Sequence, residues 1–191
     1  MTQYAPDDEV FISVDIEAAG PYVGRYSLLT IGACPVDAPD ETFYVELKPT
    51  SSDATPEALA ITGLSMEKLT IDGLDPTEAM RRFEEWALRH VSDGQRLVFV
   101  AFNASFDWMF VNEYFHRYLG RNPFGHSALD MKALYMGLSG ASWSQTSMRY
   151  AAARFLEGRQ LTHNALSDAQ DQAELFRKML EEAETHGWGW V

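Results

Sequence analysis

A single cysteine, Cys34, among 191 residues excludes an internal disulfide and a multi-cysteine zinc site. One lone thiol is the usage of a reducing compartment such as the cytoplasm. No apolar run approaches the ~18 residues a membrane helix requires, and the longest, such as 97–102, are strand-sized. Residues 1–9 are polar and acidic, unlike a secretory leader. Basic residues are scarce: 15 Lys and Arg against 28 Asp and Glu leave a net charge of −13. Chains that grip long duplex nucleic acid by neutralising phosphates are usually basic. Any polyanionic partner must therefore be short, single-stranded, or held by a local patch. Repeats, low-complexity tracts and linker-like Pro/Gly/Ser blocks are also missing. A hydrophobic content of 46% excludes disorder as the main state. The length predicts one domain over residues 1–191, with a core over about 8–186.

What is present reads as an α/β chain. Val10, Ile12, Val14 and Ile16 alternate with Phe11, Ser13, Asp15 and Glu17, a strand by its period of two. Leu28–Val36 and Thr42–Lys48 read as two further strands, and the short links between them predict an antiparallel meander. Thr55 and Pro56 cap and open a short helix running to Ile61. A longer helix is predicted over Thr77–His90, a buried strand over Arg96–Ala101, and a helix from about Ala104 to Leu119. Ser127–Asp130 is a short fifth strand, and helices over about Ser147–Leu156 and Ser167–His186 close the chain. This order predicts a mixed five-stranded sheet, part antiparallel and part parallel, flanked by helices. Trp188 and Trp190 are expected to pack on the body.

Acidic residues gather where strands end and helices begin. Asp15 and Glu17, two apart on a strand, project from one face about 6–7 Å apart at the backbone. Burying them is costly unless they are paired or bind metal. Asp107 opens a helix after the strand at 96–101, and Asp168 opens the last helix, five residues after His163. Asp130 is a fourth strand-end or helix-start position, without a role from spacing. Each has an ordinary reading when taken alone: surface acids at a strand end, helix N-terminal acids favoured by the macrodipole, a solvated loop histidine. Together they suit a hard divalent cation with oxygen ligands, magnesium or manganese rather than zinc. Two such ions serve in-line phosphodiester hydrolysis, and a histidine suits the proton transfer that it needs.

Asp15-x-Glu17, Asn103-x-x-Phe106-Asp107 and His163-x-x-x-x-Asp168 resemble, in order, the three motifs of the DEDDh 3′→5′ exonucleases. They span residues 15–168. Further similarity is to the ribonuclease T branch: Val14–Gly20, Pro56–Ala60 with Gly63, and Arg121–Phe124 followed by Leu129-Asp130. Ala18 stands where threonine is usual, and Ile61 where phenylalanine is usual. The resemblance implies a ribonuclease H-like fold and two divalent cations, Mg²⁺ or Mn²⁺. Asp15, Glu17 and Asp168 would hold one ion, and Asp15 with Asp107 the other. His163 would be the general base, and single-stranded RNA or DNA would be cut from its 3′ end into nucleoside 5′-monophosphates. It also implies a homodimer and substrate contacts at Tyr22, Asn103, Phe106 and Phe124, the rings by stacking on bases. For Phe106, core packing is the competing reading. Arg149, Arg154 and Arg159 would form a local basic strip. Two other readings stand beside this one: a catalytically silent nucleic-acid-binding module, and a metal-dependent phosphohydrolase of small nucleotides.

Overall fold

The alternating segment forms β1 (Glu9–Ala18), and its two faces are buried against different helices. The structure, a computed structural model, describes residues 8–159 and 162–187. Beside β1 lie β2 (Leu28–Pro35) and β3 (Phe43–Glu46) on one side, and β4 (Arg96–Ala101) and β5 (Ala128–Asp130) on the other. The sheet order is β3-β2-β1-β4-β5, antiparallel across the first two pairings and parallel across the last two. This is the mixed sheet expected from the element order. β3 is shorter than the predicted 42–48, because the ladder with β2 runs over Phe43–Glu46 and Leu47 then bridges to Leu74.

The helices are α1 (Pro56–Thr62), α2 (Met66–Asp72), α3 (Pro76–Leu88), α4 (Ser105–Leu119), α5 (Met131–Ser139), α6 (Met148–Phe155) and α7 (Ala165–Thr185), with a 3₁₀ turn at Trp143–Gln145. Thr55 caps α1, with Pro56 in its first turn. Asp75 caps α3 one residue earlier than expected, accepting from the Thr77 amide at 2.9 Å. α2, α5 and the 3₁₀ turn were not anticipated. α2 buries only Leu69, so it carries no apolar stripe to read.

Ile12, Val14 and Ile16 meet Phe83 of α3 and Phe110 and Phe115 of α4 on one face of the sheet. On the other, Phe11 meets Phe176 of α7 edge-on at 5.3 Å. α7 turns Ala169, Ala173, Phe176, Leu180 and Ala183 inward as its periodicity predicts. Burial of these side chains at roughly 1.5–3 kcal/mol each is what holds the layers together. α7 approaches β2 at Gly32, where a Cβ would lie 2.2 Å from the backbone carbon of Ala165. The start of α7 is thereby brought to the carboxyl-terminal half of β1. Trp188 and Trp190 lie outside the described residues.

Candidate active site

The carboxyl ends of the parallel strands β1, β4 and β5 point to one edge of the sheet. Crevices at that edge collect functional side chains in open α/β sheets. Asp15 and Glu17 reach it from β1. Asp107 reaches it from the first turn of α4 and is 4% exposed; its Oδ1 accepts the Ile16 backbone N–H at 3.1 Å, between the two β1 acids. Asp168, 1% exposed, arrives from the first turn of α7. Its Oδ1 accepts from the Thr162 amide at 2.8 Å and the Thr162 hydroxyl at 3.0 Å, and its Oδ2 from the His163 amide at 2.8 Å. Carboxylate oxygens of Glu17 and Asp168 and a ring nitrogen of His163 all lie within 4.8 Å of one another. The imidazole is exposed and next to the acids.

Two backbone conformations shape the site. Asn103 (φ 64°) and His163 (φ 55°) are both left-handed, a region where asparagine and histidine are enriched among non-glycine residues. Asn103 turns the chain from β4 into α4, and its amide donates to Asp130 Oδ1 at 3.0 Å. The same oxygen caps α5 through the Lys132 amide at 2.9 Å, which gives Asp130 a structural task.

Sequence reasoning missed Gln172. Buried on α7, it donates from Nε2 to Asp15 Oδ1 at 2.6 Å and accepts the Phe102 amide on Oε1 at 2.8 Å. It ties a β1 acid to the end of β4. The available signal was a polar residue one turn after Asp168, set beside the apolar stripe. Thr162 was also missed. Thr30, directly opposite Glu17 in the β1–β2 register, has a buried hydroxyl without a hydrogen-bond partner among the described residues.

The expected substrate contacts divide. Tyr22 is 45% exposed, resting edge-on against Tyr26 at 5.2 Å. Phe106 is half-buried, beside Phe110 and packed on the core. Phe124 is a correction: it is 5% exposed and lies among Phe83, Phe99 and Phe115, so core packing occupies the ring expected to meet a base. Ile61, at the position where the resemblance expects phenylalanine, is 55% exposed.

The acids disturb one another. Burial, then the charges of Asp107, Glu17 and Asp168, raise the Asp15 carboxyl well above its ordinary range, against the Gln172 hydrogen bond. Burial and Asp168 push Glu17 up to about 7. Burial pushes Asp107 up to about 8 despite backbone hydrogen bonds that lower it, with Glu17 and Asp130 adding to the rise. A cluster of oxygen ligands whose charges repel in this way fits a hard divalent cation, whose charge reverses the repulsion.

The folded chain holds protons on Glu17 and Asp107 up to about 7 and about 8. The unfolded chain releases them near the ordinary 4.5 and 3.8. The folded state binds more protons across that window, so metal-free stability falls as pH rises through it. Chelator-treated protein is therefore expected to melt lower at pH 8 than at pH 5.5. Excess Mg²⁺ or Mn²⁺ is expected to raise the pH 8 melting temperature by about 5–10 °C, from ~2.7 kcal/mol at a hundredfold excess over Kd. Calorimetry showing a flat or rising metal-free profile between those pH values would contradict the cluster.

Residues 12–176 match the RNase T family model, described as exonuclease. The chain belongs to this exonuclease family. The 3′-5′ DNA exonuclease Cap18 of Escherichia coli is 52% identical over 171 residues, which cover 90% of this chain and 91% of that protein. Ribonuclease T of Klebsiella pneumoniae is 29% identical over 194 residues, 94% of this chain and 87% of its own. The nuclease domain of 3′hExo, a DEDDh family member solved bound to rAMP, superimposes with a TM-score of 0.70 at 12% identity, covering 93% of this chain and 92% of that one. The RNase H-like architecture anticipated from the motifs is the one present. As an RNase T-family exonuclease, the protein is a 3′→5′ enzyme whose phosphodiester hydrolysis depends on metal.

Proposed function

We propose that this exonuclease, residues 1–191 acting as one domain, removes nucleotides singly from the 3′ end of single-stranded DNA and releases nucleoside 5′-monophosphates. Asp15, Glu17, Asp107 and Asp168 hold two divalent cations, Mg²⁺ or Mn²⁺, and His163 is the general base. The convergence of Glu17, Asp168 and the His163 ring within 4.8 Å carries this reading. Buried Asp107, tied to β1 between the other acids, supports it.

Bound there, two divalent ions supply a lowered pKa for the attacking water and charge stabilisation for the leaving oxygen. The protein's own groups do the rest. Gln172 holds one oxygen of Asp15 through a hydrogen bond from Nε2. Thr162 and the His163 amide orient both oxygens of Asp168. The hydrogen bond from the His163 backbone N–H to Asp168 Oδ2 anchors the main chain of His163 beside the acids, and its exposed ring, at the solvent boundary, takes the proton and passes it to water. Tyr22, Asn103 and Phe106 contact the terminal nucleotide, Tyr22 by presenting an exposed ring.

DNA rather than RNA is favoured because the 52% identical relative is named a DNA exonuclease, while the ribonuclease T relative stands at 29%. A cytoplasmic homodimer completes the reading, from the resemblance to ribonuclease T and the lone buried Cys34, whose thiol burial pushes up to about 12. Matched 5′-labelled DNA and RNA oligomers with Mn²⁺ test the substrate. A ladder shortening from the 3′ end is expected, with DNA cut about tenfold faster, the size of discrimination that one contact commonly supplies. A 3′-phosphate should block the reaction, and a circular strand should survive. Faster RNA cleavage would reverse the substrate assignment. Binding without cleavage would point to the silent module, and turnover of free nucleotides alone to the phosphohydrolase.

A further inference from the structure

The chain's few cations are mostly neutralised. Arg154 and Arg159, expected to form a strip with Arg149, are instead tied to Glu182 and to Asp171 and Glu174. Arg149 is not, and neither is Lys132; among the described residues neither makes an ion pair. Lys132 stands over one exposed ring, and Arg149 immediately precedes another in the chain. Trp143 is 56% exposed and Tyr150 46%, large apolar surfaces on the 3₁₀ turn and the first turn of α6. The Lys132 ammonium lies 4.2 Å from the centroid of the Trp143 ring, a cation–π contact that fixes the orientation of the indole.

This surface begins beside the site. Lys132 is in the first turn of α5, two residues after Asp130, whose Oδ1 accepts the backbone amides of both Lys132 and Asn103, the residue that leads from β4 into the helix carrying Asp107. From there the chain runs through α5 and the 3₁₀ turn into α6, bringing two unpaired cations and two open rings into the same segment. Cations alternating with exposed aromatic rings are the means by which proteins hold single strands: phosphates meet the charges and bases stack on the rings. A duplex keeps its base faces covered and would meet the repulsion of a chain with a net charge of −13.

Resting on the exonuclease reading above, we propose that Lys132, Trp143, Arg149 and Tyr150 form the binding strip for the single-stranded segment on the 5′ side of the nucleotide being removed. The strip explains how an acidic protein retains a polyanion: a local patch of unpaired charge and stacking surface does what net charge does not.

The test compares a dinucleotide, which ends at the acids, with a thymidine oligomer of about 15 residues, the span of one single-strand site. For the full chain carrying Trp143→Ala and Tyr150→Ala together, the KM for the oligomer is expected to rise about tenfold or more, as lost base stacking requires, with kcat and dinucleotide kinetics preserved. Trp143→Phe, which retains a ring, should recover most of the affinity. Arg149→Gln should shallow the dependence of oligomer KM on salt. Equal losses on both substrates, or an unchanged oligomer KM, would overturn the strip. A shift to a smaller species on sedimentation would also overturn it, by making the surface a contact between subunits. A wild-type enzyme inert on both substrates would overturn the exonuclease reading, and the strip with it.

Discussion

Asp15→Asn is expected to lower turnover on the order of 10³-fold or more at saturating metal, the scale of removing a main electrostatic contributor to the transition state. Asp15 is where the cluster converges: Asp107, Glu17 and Asp168 all act on its carboxyl. The substitution keeps side-chain volume and keeps an oxygen to accept from Gln172 Nε2. The fold should survive it, and loss of one repelling charge should raise the metal-free melting temperature at pH 8. Low activity with raised metal-free stability is a pairing that a merely damaged protein does not show. Cleavage near the wild-type rate by purified Asp15→Asn would remove the two-ion assignment.

His163→Asn is expected to lower turnover roughly 10²–10⁴-fold, the usual worth of a general base, while leaving the metal-dependent rise in melting temperature in place. Asparagine is the informative replacement. It tolerates the left-handed backbone that His163 adopts at φ 55° and retains the amide that donates to Asp168 Oδ2. It removes only the imidazole. Wild-type turnover at pH 8 would return His163 to an ordinary loop residue and require another base. Loss of the metal-induced stabilisation would instead make the ring a ligand.

Elements with one strong period were legible in the sequence. β1 alternates because its faces meet different helices, and α7 shows its stripe because a long helix lies along one sheet face. α5 was not legible: Asp130 both ends β5 and caps α5, so no loop signal separates them. In the site, acids at strand ends stand out because burying a charge needs a reason. Gln172 does not stand out, since a neutral amide at the edge of a helical stripe looks like surface until its two partners are known. Phe124 shows the opposite limit. A phenylalanine in a motif-like segment reads the same whether it meets a base or, as here, Phe83 and Phe99, because only the third dimension separates the two. The φ angles of Asn103 and His163 likewise leave no trace in periodicity.

Gly32 extends the vulnerability of this enzyme beyond its ligands. Every missense change at that codon adds a Cβ, and that atom would come within 2.2 Å of the Ala165 backbone, where no flexible side chain is available to yield. The start of α7 must then lift from β2, and Asp168 and His163 leave together while Asp15 and Glu17 stay on their strand. A population survey of inactivating alleles should therefore recover this position alongside the acidic ones, although a glycine contributes nothing to the chemistry. Its alleles would share a signature: a chain that still folds around its sheet yet has split its carboxylates into two sets.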